Sequence, residues 1–153
     1  MSEITFRYAT EADLLPVIQL LADDEYAESR ETGGDAVAPE YAEAFAAMQK
    51  MPANRILLAE QDGRIVGSLQ LTFLPGLSRR GATRAIIEAV RVSSNLRGQN
   101  IGTQLMKRAI AEARAAGCKL VQLTSDRRRT RAHLFYRRLG FEQSHAGFKM
   151  ELK

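Results

Sequence analysis

The 153-residue sequence predicts one α/β domain, in which about four helices cover a mixed central sheet of six to seven strands. Short segments of alternating apolar and polar residues follow one another along the chain with amphipathic segments of helical spacing between them. The Asp62-Gly63 pair predicts a hairpin between two strands. Residues 92–120 contain a helix between two apolar strands, which predicts a right-handed parallel crossover. A sheet with both kinds of connection is mixed.

The predicted elements run β-α-α-β-β-β-α-β-α-β. "ITFRYA" is the first strand, and Thr10 with Asp13 opens the first helix. The acidic segment "DDEYAESRETGGDAVAP" is expected to be a loop or broken helix, followed by the helix "EYAEAFAAMQKM", the hairpin "RILLAEQDGRIVGSLQLTF" and the strand "AIIEAVRV". The helix from Ile101 ends at Gly117. "KLVQLTSD" is then a strand, "TRAHLFYRRLGF" a helix ending at Gly140, and "FEQSHAGFKMELK" a closing strand or hairpin.

Composition limits the class of protein. With 45% hydrophobic and 26% charged residues, the chain is typical of a globular domain, and no apolar run is long enough to span a bilayer. The first residues lack the features of a signal peptide. The single cysteine, Cys118, excludes an internal disulfide and is expected to be a small buried residue rather than a nucleophile. A cytoplasmic protein without a membrane partner is therefore expected.

Charge is distributed unevenly between the two parts of the chain. Residues 1–60 hold four basic and twelve acidic residues, whereas residues 61–153 hold eighteen and six. The two parts either attract partners of opposite charge or form two solvated faces that attract each other. The run "RRRTR" at 127–131 lacks a recognition motif or interleaved aromatics, so no nucleic-acid partner is expected. His133 and His145 lack metal-ligand spacing, so no metal site is expected.

The segment "RGQNIG" directly before the helix from Ile101 predicts a phosphate-binding turn. A helix start offers unpaired N–H groups and a partial positive charge. Gly98 and Gly102 lack a Cβ atom, and Asn100 tolerates the left-handed conformation. Such a concave set of amides binds phosphate oxygens, and Arg97 adds a full charge beside it. An ordinary glycine-containing turn is the alternative; the other nucleotide-binding motifs, G-x-x-x-x-G-K-[ST] and G-x-G-x-x-G, are absent.

"RGQNIG" before a helix resembles the [QR]-x-x-G-x-[GA] signature of the GNAT superfamily of acetyl-CoA-dependent N-acetyltransferases. "FRYATEADLLPV", "IIEAVRV" and "AHLFYRRLGF" resemble, in the same order, that family's first strand and helix, central strand, and last helix. The C-terminal half is also similar to aminoalkylphosphonate acetyltransferases. Two positions depart from the family pattern: Asn100 replaces the usual first glycine, and Ala132 stands where many members carry an asparagine.

The resemblance implies acetyl-CoA as co-substrate. Its diphosphate would lie on the amides of residues 97–103, and its pantetheine arm would pair with the open edge of strand 86–92. The arginine run at 127–131 could hold the outer phosphates or be plain surface. The implied cofactor-binding residues are Val90, Arg91, Val92, Arg97, Gly98, Gln99, Asn100, Ile101, Gly102 and Thr103.

The implied reaction is attack of a primary amine on the thioester carbonyl, so the amine must first lose a proton. Alternation places Glu88 on the strand face of Ile86 and Val90, and a buried carboxylate there would be a general base. An ion pair of Glu88 with Arg84 or Arg91 is the alternative.

Two further groups complete the implied reaction. A strand N–H near Val92 would stabilise the charge that develops on the carbonyl oxygen. Tyr136 matches the family's general-acid tyrosine, although it could also be a core residue beside Phe135 and Leu139.

A small-molecule primary amine is the expected acceptor. The acidic segment from Asp23 to Glu31 is expected to form one wall of its site and to favour a cation. A peptide or protein amine is the alternative acceptor, and an acetyl-CoA sensor without turnover is the alternative of another class. A homodimer is the expected assembly.

Overall fold

The computed structural model describes residues 2–26, 31–32 and 34–153. Within these residues, five strands form one sheet in the order β1-β2-β3-β4-β5. The strands are β1 Thr5–Tyr8, β2 Asn54–Gln61, β3 Arg64–Leu74, β4 Arg84–Val92 and β5 Leu120–Leu123. The helices are α1 Leu14–Ala22, α2 Pro39–Gln49, α3 Ser78–Gly81, α4 Ile101–Ala115 and α5 Thr130–Leu139. The predicted α/β class is confirmed, with five strands in the described residues where six to seven were expected.

The first four strands form an antiparallel meander. Asp62 and Gly63 both have positive φ at the β2–β3 turn, as the sequence predicts for a two-residue hairpin loop. The first residues of β4 and β5 lie next to each other, where the Lys119 amide donates to the Thr83 carbonyl at 2.8 Å. β4 pairs along its length with β3 but contacts β5 at few positions, which leaves the two strands splayed.

Helices α1 and α2 pack around one apolar cluster. Leu14, Ile18 and Phe45 form its buried centre, with Tyr41 and Ile56 at its margin. The start of α1 is closed by charged groups. The Asp13 carboxylate accepts the Thr10 amide at 2.7 Å, and the Arg7 guanidinium donates to both of its oxygens at 2.7 Å. This confirms the helix start predicted at Thr10 and Asp13.

Helix α4 packs on β3 where that strand has a glycine. A Cβ atom at Gly67 would lie 3.3 Å from the Arg91 carbonyl oxygen, 3.4 Å from Leu105 Cδ2 and 3.5 Å from Ile101 Cγ2. Both of these α4 side chains are fully buried. The absence of a side chain at Gly67 therefore lets the first turn of α4 approach the sheet beside the end of β4.

The chain divides into two compact units, residues 1–122 and residues 123–153. The second unit contains α5, which ends at Gly140 with a left-handed φ of 105°. The predicted closing strand or hairpin over residues 141–153 is wrong: the structure assigns no helix or strand to these residues. Their alternating pattern has no neighbouring strand in the described chain to supply the hydrogen bonds that a strand requires.

None of the described helices is long and apolar enough to cross a membrane.

Candidate active site

The loop before α4 contains two left-handed residues. Gly98 has a φ of 88°, and Asn100, the N-cap, has φ 64° and ψ 12°, the conformation expected of an asparagine at this position. The Gln104 amide donates to the Asn100 carbonyl at 3.1 Å, so the helix ladder begins there and the amides of residues 101–103 precede it. The expected turn of main-chain amides at a helix start is therefore present.

The electrostatic surroundings of this turn suit an anion. The first turn of α4 contains no acidic residue, and Asn100 makes no side-chain capping hydrogen bond. The Arg97 guanidinium lies beside the turn and donates to the Asp23 carbonyl at 3.4 Å. The partial positive charge at the helix start is therefore not offset by the protein's own carboxylates in that turn. A diphosphate fits this turn, with Arg97 at its margin.

The acidic segment after α1 contacts the end of β4 and the loop that follows it. Arg91 forms an ion pair with Asp24 at 3.6 Å, with 14% and 6% of the two side chains exposed. The Ser94 amide donates to the Asp23 carboxylate at 3.3 Å. The Asp24 carboxylate therefore binds the Arg91 guanidinium, and its charge is offset within the protein. Residues 27–30 of the predicted acidic wall lie outside the described residues.

β4 contains a β-bulge at its centre. Gln70 pairs with Glu88 and Ser68 with Arg91, so that two residues of β4, Ala89 and Val90, lie opposite Leu69 alone. Ala89 has a φ of 53°, a left-handed conformation that L-residues with a side chain rarely adopt. The bulge bends β4 and shifts its alternation by one residue.

Glu88 lies immediately before the bulge and is exposed. The prediction that this carboxylate is buried is wrong, because β4 buries Ala85 and Ile87 on one face and Glu88 lies on the opposite face. Ile86 lies on the same face of β4 as Glu88, as predicted. After the bulge, Arg91 lies on that face instead of the predicted Val90.

The side chains predicted as alternative ion-pair partners of Glu88 have other contacts. The Arg84 guanidinium donates to Gln122 Oε1 at 2.7 Å, and Arg91 is paired with Asp24. Within the described residues, Glu88 makes no hydrogen bond or ion pair. Its carboxylate therefore faces solvent at the bulge, at a position open to a substrate.

Tyr136 lies on α5 in the second unit, where it is half-buried among aromatic rings. Its ring centroid is 5.2 Å from that of Phe135 and 6.0 Å from that of Phe141, the latter in an edge-on arrangement. These contacts pack the Tyr136 ring against Phe135 and Phe141.

The arginine run at 127–131 begins with a local ion pair. Arg128 donates to both oxygens of Asp126, at 3.0 and 2.7 Å, and holds the pKa of that carboxyl below its usual range. His133 Nε2 lies 2.9 Å from the Asp126 carbonyl oxygen, so this histidine has a structural partner. Cys118 is half-buried, and burial raises the pKa of its thiol, which disfavours the thiolate that a nucleophile requires.

The described residues contain no group of three or more side chains suited to holding a metal ion.

A family comparison agrees with this geometry. Residues 16–141 match the model of the acetyltransferase (GNAT) family. The chain belongs to the GNAT family of acetyltransferases. It is therefore an acyltransferase, and the family uses acetyl-CoA as co-substrate. The matched range contains the α4 turn, the bulge in β4, and Tyr136.

Relatives of this GNAT domain are similar over most of its length. The aminoalkylphosphonate N-acetyltransferase of Salmonella typhimurium is 38% identical over 112 residues, which are 73% of this chain and 72% of that protein. The glucosamine 6-phosphate N-acetyltransferase of Trypanosoma brucei brucei is 31% identical over 98 residues, 64% of this chain and 65% of that protein. A crystal structure of a transcriptional regulator from Bacillus halodurans C-125 has a TM-score of 0.94 and 43% identity, covering 98% of this chain and 100% of that one.

Sequence reasoning did not find two features of the site. The Arg91–Asp24 ion pair joins residues 67 positions apart in the chain, and no local pattern indicates such a pair. The left-handed Ala89 is also without a local signal, because alanine rarely adopts positive φ. The close approach of α4 to β3 did have a signal, since Gly67 interrupts the strand.

Proposed function

We propose that this protein transfers the acetyl group of acetyl-CoA directly to the primary amine of a small molecule. The observation that carries the proposal is the start of α4, where left-handed Gly98 and Asn100 precede a helix without acidic residues in its first turn. Such a turn is suited to the diphosphate of a CoA thioester. The proposed diphosphate ligands are the main-chain amides of residues 97–103 together with the Arg97 side chain.

The end of β4 would bind the pantetheine arm. β4 and β5 make little contact beyond their first residues, so the proposed partners of the arm are main-chain groups of Val90, Arg91 and Val92. The Val90 carbonyl also accepts the Arg91 guanidinium at 3.0 Å, and Arg91 pairs with Ser68 of β3. The bulge at Ala89 redirects the strand beside these groups. The Val92 N–H would donate to the thioester carbonyl oxygen as negative charge develops on it.

Glu88 is proposed to accept the proton that the amine must lose before attack. An alkylammonium has a pKa of about 10, so only a small fraction is a free amine at neutral pH. The exposed carboxylate has no partner among the described residues, which leaves its oxygens available to an ammonium group or to a bridging water. Its position one residue before the bulge supports this role.

Tyr136 is proposed to protonate the departing CoA thiolate. Tyr136→Phe keeps the aromatic ring that packs with Phe135 and Phe141 and removes only the hydroxyl group. We expect a decrease in kcat of about 10- to 100-fold with unchanged thermal stability, as for loss of a general acid. Phe135→Tyr serves as a matched control that adds a hydroxyl one position away. Full activity of Tyr136→Phe would assign Tyr136 to packing alone.

The acceptor is proposed to carry a phosphonate or phosphate group as well as its amine. Both named enzyme relatives act on such compounds, an aminoalkylphosphonate and glucosamine 6-phosphate. The excess of basic residues in positions 61–153 is compatible with an anionic acceptor. The half-buried pairing of Asp24 with Arg91 reduces the negative charge that the acidic segment offers to a purely cationic acceptor.

A thiol-release assay tests this function. Acetyl-CoA and the protein are combined with aminoalkylphosphonates, amino sugar phosphates, polyamines, amino acids and short peptides, and free CoA is measured with a thiol reagent. We expect turnover with a small primary amine, fastest when that amine carries a phosphorus oxyanion. Turnover with peptides alone would instead indicate a peptide acetyltransferase. Calorimetry with CoA provides the independent test of the α4 turn, and absence of binding would overturn the proposal.

An acetyl-CoA sensor without turnover is the second candidate. The observation that favours it is the similarity to a protein described as a transcriptional regulator. Calorimetric binding of acetyl-CoA without thiol release for any amine would support the sensor. We also propose a cytoplasmic location, for which the single cysteine is the supporting observation, and a homodimer.

A further inference from the structure

Gln70 lies directly opposite Glu88 on the neighbouring strand. The β3–β4 register pairs the two residues, so their side chains share one face of the sheet, with Cβ atoms about 4.5–5.5 Å apart. On the other side, Gln70 pairs with Ile56 of β2, which lies at the margin of the apolar cluster between α1 and α2. Gln70 is half-buried, whereas Glu88 is exposed. Gln70 therefore lies between that apolar cluster and the carboxylate.

The side-chain amide of Gln70 is held by its nitrogen end. Gln70 Nε2 donates to Asn54 Oδ1 at 2.8 Å, and the same oxygen accepts the Thr72 hydroxyl at 3.0 Å. An amide oxygen can only accept hydrogen bonds, so this arrangement fixes which end of the Gln70 amide faces Asn54. Within the described part of the chain, Gln70 Oε1 accepts no hydrogen bond from another side chain. The carbonyl end is therefore the end that is available to a ligand.

Gln70 and Glu88 offer two acceptor groups of different kinds to an amine. A primary ammonium group carries three N–H donors, and transfer of a proton to Glu88 uses one of them. The Gln70 oxygen belongs to a neutral amide that does not take part in proton transfer. It can accept an N–H of the ammonium before the transfer and an N–H of the free amine after it. The nitrogen then keeps one fixed contact while its charge changes.

We propose that Gln70 Oε1 binds the nitrogen of the acceptor beside Glu88, and that Asn54 is a positioning residue that acts through Gln70. This role rests on the function proposed above and adds to it a group that orients the nucleophile. An amine held by Gln70 while Glu88 takes its proton has its lone pair directed by the protein and not by solvent. Such orientation increases the fraction of bound amine that can attack the thioester.

Gln70→Met tests the contact with the amine. Methionine has about the length of glutamine but lacks both the amide oxygen and the NH₂ group. The KM for the amine should rise about tenfold, because a hydrogen bond to a charged donor is lost. The acidic limb of the rate–pH profile, assigned to Glu88, should remain. Gln61→Met is the matched control, since Gln61 is a half-buried strand residue whose side chain also donates one hydrogen bond, to the Ser2 carbonyl at 3.0 Å. Its KM should stay within about twofold of the wild type.

An analogue without the amine separates this contact from a general change in the site. The substrate is the amine that turns over fastest in the thiol-release assay, expected to be 2-aminoethylphosphonate, and the inhibitor is its des-amino analogue, here ethylphosphonate. The inhibition constant of the analogue should stay within about twofold in Gln70→Met, because the analogue has no N–H to lose. Equal increases of this constant and of KM would assign Gln70 to the shape of the site and overturn the proposal, as would an unchanged KM.

Two substitutions of Asn54 test its positioning role. Asn54→Leu removes the acceptor that holds Gln70 Nε2 and should raise the KM for the amine about threefold without changing the inhibition constant of the analogue. Asn54→Asp retains acceptor oxygens at this position and should keep KM within about twofold of the wild type. Equal effects of the two substitutions would overturn the positioning role.

Failure of this proposal is distinguishable from failure of the proposed function. Acetyl transfer by the wild type, with Gln70→Met unchanged in KM, would overturn the role of Gln70 alone. Absence of acetyl transfer to every amine by the wild type would overturn the function and the role of Gln70 with it.

Discussion

The starts of helices α1 and α4 differ in whether a carboxylate of the protein lies there. At the start of α1, the Asp13 carboxylate accepts the Thr10 amide and is itself bound by the Arg7 guanidinium. At the start of α4, Asn100 makes no capping hydrogen bond and the first turn contains no acidic residue. Both helices begin with unpaired main-chain amides and with the positive end of the helix dipole.

This difference indicates which helix start serves the fold and which serves a ligand. A carboxylate that belongs to the protein occupies the first and would repel an added phosphate. The second retains its capacity for an anion, and its left-handed Gly98 and Asn100 shape the loop in front of it. A helix start becomes a phosphate site when the protein leaves the position of the capping carboxylate to the ligand.

The largest expected effect is a loss of catalysis on substitution of Glu88 in β4, with binding of acetyl-CoA at the α4 start unchanged. Because Glu88 is assigned to proton transfer and not to binding of CoA, Glu88→Gln should lower kcat about 100-fold and remove the acidic limb of the rate–pH profile. The KM for acetyl-CoA should stay within about twofold. Steady-state kinetics from pH 5 to 9 measure both quantities. Glu43→Gln, an exposed change on α2, is the control. An unchanged pH profile in Glu88→Gln would remove this residue from the mechanism.

The next effect concerns the occupied helix start. The hydrogen bonds from Arg7 and Thr10 lower the pKa of Asp13 from 3.8 to about 2, although burial opposes the shift. The charged form is therefore favoured by folding, and its contribution is present above about pH 4 and lost as the pH falls toward 2. Asp13→Asn should lower the free energy of unfolding at pH 7 by about 2 kcal/mol and flatten its pH dependence across that range.

Urea denaturation from pH 2 to 7 measures this effect. Glu11→Gln is the matched control, because Glu11 is an exposed acid in the same turn. Equal losses for the two variants would show that general charge at α1, and not the Asp13 contacts, stabilises this helix start.

A third experiment gives the α4 start the carboxylate that α1 has. Asn100→Asp preserves the size of the side chain and its tolerance of the left-handed conformation. The new charge should favour the helix dipole and repel the diphosphate, so thermal stability is maintained while the dissociation constant for CoA rises about tenfold. Asn100→Gly keeps the turn without the charge and should bind within about threefold of the wild type. Unchanged CoA binding in Asn100→Asp would place the diphosphate elsewhere.

The sequence predicts the α4 turn because its unusual backbone is encoded by unusual residues. Gly98 and Asn100 are residue types that adopt positive φ readily, and the helix that follows has a clear apolar stripe. The hairpin at Asp62-Gly63 is predictable for the same reason. The start of α1 is predictable from a different signal, the Thr10 and Asp13 capping pair. Glu88 lies on a strand as predicted, but its exposure is not predictable from alternation, because the face that β4 buries is fixed by the packing of Ala85 and Ile87.

The remaining errors arise from contacts that no local pattern contains. The closing strand over residues 141–153 was predicted from alternation alone, whereas strand formation also requires a partner edge. The Arg91–Asp24 ion pair depends on the packing of α1 beside β4. Both features depend on tertiary contacts between segments that are distant in the sequence.

The smallest effect tests whether the bulge stores backbone strain. Ala89 has a φ of 53°, and a left-handed alanine costs roughly 1–2 kcal/mol relative to its preferred conformations. Ala89→Gly relieves this cost but adds about 0.5–1 kcal/mol of unfolded-state entropy, so the free energy of unfolding should rise by up to about 1 kcal/mol. Ala85→Gly, in the same strand but buried and without positive φ, should lower it by about 1 kcal/mol or more.

If both variants lose stability equally in urea, Ala89 is not strained, and the bulge must be held by the residues paired around it. If Ala89→Gly gains stability while kcat falls, the protein gives up stability at this position to hold Glu88 and Val92 in place for the reaction.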